Sequence, residues 1–206
     1  TLYYVNTLRK FELKDRNVFI TLEGIDGVGK SVAAYELKNK LEESGRKVKL
    51  LCDPGLTEIG KSVNHIVKHV KLSNPAQLAL FLAARGELIE KEILPALNSG
   101  QSVICDRFTD STIAYQCGGV GIPYAYVKDL IYNPYYYVKK EITFLLWSKR
   151  LQSPKGDVIE SMGEDFYTRV SDTYDAIASA YSDRVIRIQR VEGDVDKTVD
   201  KMTDIL

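Results

Sequence analysis

The chain of 206 residues is short of cysteine and histidine, carries no excess of either charge and has no long apolar run. Its three cysteines, Cys52, Cys105 and Cys117, are odd in number and lack metal-ligand spacing, which speaks against a disulfide framework or zinc site and for a reducing compartment. Lys plus Arg and Asp plus Glu each number 28. No global field therefore draws the chain to a nucleic acid polymer or an anionic membrane, and any anion site must be local. Nothing approaches the roughly 20 apolar residues of a membrane span, and residues 1–17 have neither the apolar core nor the small-residue cleavage site of a secretory signal. The expected location is cytoplasmic. His65 and His69 share i, i+4 spacing, but no third ligand or HExxH pattern completes a metal site.

What is present is an alternation of short apolar runs with amphipathic segments. VFITLE (18–23), VKLLC (48–52), SVICD (102–106), ITFLLW (142–147) and RVIRI (184–188) read as strands, and the intervening apolar residues fall at helical spacing. Nearly continuous apolar strands separated by helices imply a parallel five-stranded sheet buried on both faces, in the α/β class. The length suits one domain over 1–206, with 1–17 as an N-terminal extension of undisclosed role. Chemistry in such sheets belongs at the carboxyl ends of the strands.

The first of those ends carries Gly24-Ile25-Asp26-Gly27-Val28-Gly29-Lys30-Ser31, which matches G-x-x-x-x-G-K-[ST] between a strand and a helix. Glycines leave backbone N–H groups free to point at phosphate oxygens, and the helix N-terminus adds its positive dipole end. Gly24 to Val32 is the expected ATP-binding segment, with Lys30 directed at the β and γ phosphates and Ser31 offering a hydroxyl to Mg²⁺. Asp106, at the end of SVICD, is the second candidate metal group; the alternative is an ordinary aspartate capping the next helix.

A phosphate loop leaves the acceptor open. Four segments narrow it: LEGIDGVGKS (22–31), DPGLTEIG (53–60), LALFLAAR (78–85) and DRFTDSTIAYQCGGVG (106–121). In order and content they resemble the thymidylate kinase family, a group of P-loop nucleoside monophosphate kinases, with DR[YF]xxSxxAYQ the most diagnostic. The resemblance implies transfer of the γ-phosphate of ATP to dTMP or a related deoxypyrimidine monophosphate, with Mg²⁺ as cofactor and a homodimer as the assembly. It also implies roles. Arg107 would hold the acceptor phosphate, Phe81 and Arg85 the base and its O4, Thr112 the base edge, Tyr115 the space of a 2′-hydroxyl, and Asp26 the region of the sugar 3′-hydroxyl and the metal. Asp53, Pro54, Ser111 and Gln116 complete the expected acceptor site. Phe81 also reads as plain core packing.

The departures from the family pattern are Cys52-Asp53-Pro54-Gly55-Leu56 for the usual Arg-Glu-Pro-Gly-Gly, Ala84-Arg85 for a common Asp-Arg, and a short lid over 147–163 with Val158 where a basic residue is common. Gly27 stands where some members carry an arginine, so the lid has to supply the catalytic cation. Arg150 is preferred over Lys149, Lys155 and Arg169, because a guanidinium bridges two phosphate oxygens. Two other functions stay open: a deoxynucleoside kinase with Glu23 as base, and a catalytically weak nucleotide-binding regulatory protein. The tyrosines at 132 and 135–137, around Pro134, read as a core edge or subunit contact.

Overall fold

The structure is a computed structural model that describes residues 17–139, 142–148 and 162–206. Five strands, β1 (Phe19–Glu23), β2 (Val48–Cys52), β3 (Ser102–Asp106), β4 (Ile142–Trp147) and β5 (Val185–Gln189), form one sheet in the order β2-β3-β1-β4-β5. Every pairing is parallel. The five apolar runs thus become strands within one residue of their expected limits. The glycine-rich segment leaves the central strand, β1, and leads directly into helix α1 (Lys30–Glu43).

Side chains alternate across the sheet, as strand geometry requires. Ile20, Leu22 and Ile104 pack with Ala33, Ala34 and Leu37 of α1. Phe19, Val103 and Cys105 face the opposite cluster with Leu88, Ile89 and Ile93. Those three belong to a long helical run that starts as α3 (Asn74–Leu88), widens into a π-type turn over Ile89–Ile93 and closes as α4 (Leu94–Asn98). The widened turn does not show in the apolar spacing. Helix α2 (Glu58–His69) begins at Thr57, whose hydroxyl accepts from Gly60 N–H at 2.9 Å, and buries Val63 and Val67.

After β3 the chain forms α5 (Thr109–Thr112), which widens over Ile113–Gly119. Helices α6 (Tyr124–Ile131), α7 (Glu164–Ala180) and α8 (Val195–Thr203) complete the described residues. The widened end of α5 lies against α7 so closely that a Cβ on Gly119 would sit 2.9 Å from Val170 Cγ2 and closer still to the Phe166 ring. This contact brings Phe166 and Tyr174 of α7 to the carboxyl edge of the sheet.

Candidate active site

The carboxyl ends of β1, β2 and β3 open onto one cleft of about 450 Å³. It is lined by every residue expected to bind the acceptor, Asp26, Asp53, Pro54, Phe81, Arg85, Arg107, Ser111, Thr112, Tyr115 and Gln116, and by both candidate metal groups, Ser31 and Asp106.

The glycine-rich segment has Gly24, Gly27 and Gly29 at positive φ (136°, 76° and 91°), where a side chain would strain the backbone. At Gly24 space is also lacking, since a Cβ would fall 2.5 Å from the Leu146 carbonyl oxygen. Lys30 is 6% exposed and folds back so that Nζ donates to the Ile25 carbonyl at 2.8 Å. Burial, helped by the Arg107 charge, pushes the Lys30 ammonium down to about 7. The Val32 side chain points to solvent, leaving only its backbone to the loop. Ser31 Oγ donates to Asp106 Oδ2 at 2.5 Å, while Asp106 Oδ1 is buried without a partner among the described residues. A hydroxyl beside a carboxylate with a spare buried oxygen is a hard, all-oxygen donor set, and it fits Mg²⁺.

Arg107 sits one residue beyond β3 in the left-handed region at φ 69°, a conformation that costs a non-glycine residue about 1–2 kcal/mol. Both of its backbone groups are tied down: its N–H donates to Leu22 at 2.9 Å, and its carbonyl accepts from the Cys105 thiol at 3.1 Å. The turn aims the guanidinium back at the phosphate loop. There it donates to Asp26 Oδ1 (2.5 Å), the Gly24 carbonyl (3.3 Å), Ser111 Oγ (3.2 Å) and Tyr115 Oη (3.3 Å). Tyr115 Oη donates to the other oxygen of Asp26 at 2.8 Å. Burial would raise the Asp26 carboxyl, but the Arg107 and Lys30 charges together with the Tyr115 hydroxyl outweigh it and hold Asp26 below its ordinary value.

At the far end of the cleft, Arg85 and Asp53 form a buried ion pair, Nε to Oδ2 at 2.6 Å, with side chains 3% and 1% exposed. Arg85 Nη2 donates to Thr112 Oγ1 (2.8 Å) and to the Phe108 carbonyl (3.2 Å), and the guanidinium lies 5.2 Å from the centre of the Phe108 ring. Phe81 is half-buried at the same end, so it serves the cleft wall as well as the packing around Val63 and Val67.

Glu23 resolves the base proposed for a nucleoside acceptor. It is fully buried, and its carboxylate accepts from Phe108 N–H (2.9 Å), Ser111 Oγ (2.5 Å) and Tyr174 Oη (3.0 Å). It organises the loop that carries Arg107. Tyr174 and Phe166 were not visible as site residues, because α7 reaches the cleft only through its close packing on α5. Arg190 was also missed: it follows β5, donates to the Gly27 carbonyl at 3.4 Å and lies where a Cβ on Gly29 would meet its guanidinium at 3.5 Å. Its place just past a strand's carboxyl end was the available signal. Of the lid cations, Lys149, Arg150 and Lys155 fall outside the described residues, as does Val158. Arg169 is engaged, its guanidinium donating twice to the Gly119 carbonyl (2.8 and 3.3 Å).

A parallel sheet of this order, with a phosphate loop on its central strand and one polar cleft at the carboxyl ends of β1, β2 and β3, is that of a P-loop kinase. The thymidylate kinase family model matches residues 22–200. A thymidylate kinase from Chlorobaculum parvum is 37% identical over 189 residues, covering 83% of this chain and 87% of the relative. One from Thermosipho melanesiensis is 32% identical over 198 residues, covering 91% and 100%. The crystal structure of thymidylate kinase from Ehrlichia chaffeensis superposes with a TM-score of 0.77 at 33% identity, covering 92% of this chain and 98% of that one. The chain belongs to the thymidylate kinase family.

Proposed function

We propose that this chain transfers the γ-phosphoryl group of ATP to dTMP, giving ADP and dTDP. An oxygen of the acceptor phosphate forms the new bond to the γ-phosphorus, and the bond from that phosphorus to the bridging oxygen breaks, leaving its electron pair on ADP. The observation that carries this reading is the placement of two anion-reading groups, the glycine-rich loop and Arg107, on one cleft whose other end holds Arg85 and Phe81. The loop's N–H groups and Lys30 would cradle the donor phosphates. Arg107, a fork of donors fixed by its own backbone, would hold the acceptor phosphate in line. Asp26 would keep Arg107 and Tyr115 in place, and Tyr115 would fill the volume of a 2′-hydroxyl. Ser31 and Asp106 would hold Mg²⁺, which when bound neutralises phosphate charge. Arg150 is proposed as the lid cation. The same reading carries a homodimer, from the family resemblance, and a cytoplasmic site of action, from the cysteine usage and the lack of a membrane-span or secretory-signal pattern in the sequence.

The test is coupled ADP release with ATP and a panel of dTMP, dUMP, dCMP and the parent nucleosides. Turnover highest with dTMP is expected. Turnover with nucleosides alone would make the chain a deoxynucleoside kinase, and ATP binding without turnover on any acceptor would make it a regulatory nucleotide-binding protein; either result refutes the proposal.

A further inference from the structure

Helix α2 carries both histidines of the chain, His65 and His69, at i, i+4 spacing and both exposed. Spacing alone supplied no third ligand; the structure adds the orientation of the rings. They stack with centroids 4.4 Å apart and planes 30° from parallel. His69 Nδ1 lies 2.8 Å from the His65 carbonyl oxygen. A carbonyl only accepts, so Nδ1 carries the proton and the lone pair of the neutral ring is left on Nε2. Metal-binding histidines are held in the same way: an N–H on a backbone carbonyl fixes the tautomer and the ring, and frees the other nitrogen for the ion.

The helix under the pair is firmly seated. The Thr57 hydroxyl caps its start, Val63 and Val67 are buried on its inner side, and the Val70 N–H closes the last turn on the Ile66 carbonyl at 2.8 Å. Asn64, Val67 and Lys68 of the same helix line the cleft, whereas neither histidine does. The pair therefore lies apart from the groups assigned to nucleotide and Mg²⁺. His69 is in the last turn, where the free carbonyl ends of a helix favour a cation.

We propose that His65 and His69 form a binding site for a divalent transition-metal ion that prefers nitrogen, such as Zn²⁺ or Ni²⁺. Imidazole suits these ions, whereas Mg²⁺ takes oxygen ligands. Two imidazoles at i, i+4 on one helix face are the pairing by which zinc-binding helices grip their ion. Among the described residues no cluster of three or more His, Cys, Asp or Glu side chains is placed to hold a metal, so water completes the coordination and the ion exchanges with solvent. Affinity comes from chelation: once one ring has bound, the second meets the ion at a high effective concentration. Neither ring alone retains that gain. The site goes beyond the kinase reading and does not depend on it.

The experiment is a calorimetric titration of the full chain with Zn²⁺ and with Ni²⁺, in mildly alkaline buffer with excess Mg²⁺, on the wild type, His65→Ala and His69→Ala. The expected result is one ion per chain in the wild type and binding at least about tenfold weaker in each variant, since either change removes the chelate. Cys52, Cys105 and Cys117 are free thiols and thus the competing zinc ligands. Imidazole ¹⁵N resonances separate the two, because the chain has only these two histidines: one equivalent of Zn²⁺ should shift both rings. Affinity unchanged in either variant, imidazole resonances that stay in place, or a wild-type Kd above about 1 mM for both ions would each overturn the inference. Turnover with Mg-ATP is not the readout, and both variants should keep the wild-type rate, so a failure of the kinase reading is seen separately in the acceptor panel.

Discussion

Lys30 gives a direct thermodynamic test of the phosphate loop. In the ligand-free chain its ammonium is buried against the Ile25 carbonyl, and burial with the Arg107 charge brings it down to about 7 from an ordinary value of 10.5. Triphosphate oxygens would replace the neutral carbonyl with several negative charges, which favours the ammonium and restores its pKa toward or above the ordinary value. Binding of ATP should then draw a proton from solution: about 0.5 at pH 7 and about 0.9 at pH 8, from the fraction of free Lys30 that is neutral. The sign for affinity follows, since only the protonated fraction binds well. Between pH 7 and 9 that fraction falls from about 0.5 to about 0.01, so ATP affinity should weaken about 50-fold, or about 2.3 kcal/mol. Over the same range the ligand-free fold should gain stability from this group, because the unfolded lysine, titrating near 10.5, binds more protons than the folded one. Titration calorimetry of Mg-ATP in buffers of unlike ionisation enthalpy measures the uptake. Uptake below about 0.2 proton at pH 8, or affinity constant from pH 7 to 9, would refute the reasoning. Lys30→Met should abolish the pH dependence along with turnover.

Three further outcomes are expected. Tyr115→Ala should narrow the preference for dTMP over its ribonucleotide analogue, whereas Tyr115→Phe, which keeps the ring and loses the bond to Asp26, should retain it; the ratio of kcat/KM values decides. Gly119→Ala should destabilise the chain by about 1–3 kcal/mol, because its Cβ collides with Phe166 and Val170, and should raise acceptor KM through the displaced Phe166; denaturant melts and kinetics measure both. Arg150→Ala should lower kcat by far more than tenfold with ATP affinity little changed, since a cation supplied to the transferring group is worth about 10³ to 10⁵ in related enzymes. If Arg150, Lys149, Lys155 and Arg169 can each be changed to alanine with less than a tenfold loss, the lid-cation mechanism is wrong.

Local sequence carried most of the fold and the location of the site. The strands are legible because a sheet buried on both faces needs unbroken apolar runs, as in ITFLLW, and the phosphate loop because only glycine tolerates its backbone at three positions. The residues that the motif assigns to an acceptor site line one cleft. What escaped reading depends on residues far apart in the chain. Glu23 looks like the polar end of a strand, and its role emerges only when Phe108, Ser111 and Tyr174, up to 151 residues away, converge on it. The π-type widening at Ile113–Gly119 leaves no mark in apolar spacing. It is tied to Gly118 and Gly119, where the absent side chains let α7 approach.

The same long-range placement bears on how the cleft would take its ligands. Among the described residues, three groups proposed to meet phosphate or metal are already held by a partner: Lys30 by the Ile25 carbonyl, Arg107 by Asp26, and Ser31 by Asp106. A buried charge left bare would cost several kcal/mol; the Asp26 carboxylate offsets that cost for Arg107, whereas the neutral Ile25 carbonyl leaves Lys30 shifted down to about 7. On the proposed reading, a nucleotide exchanges contacts: its oxygens replace the carbonyl on Lys30 and share Arg107 with Asp26. At Arg107 the exchange makes the net ground-state gain small, since a phosphate oxygen shares donors that a carboxylate already holds, whereas at Lys30 charged oxygens replace a neutral carbonyl and the gain is larger. The gain grows only where charge builds up beyond what the internal partner carried, which is on the oxygens around the transferring phosphorus. At Arg107, where a carboxylate already serves the guanidinium, the arrangement therefore favours the transition state over the bound substrate.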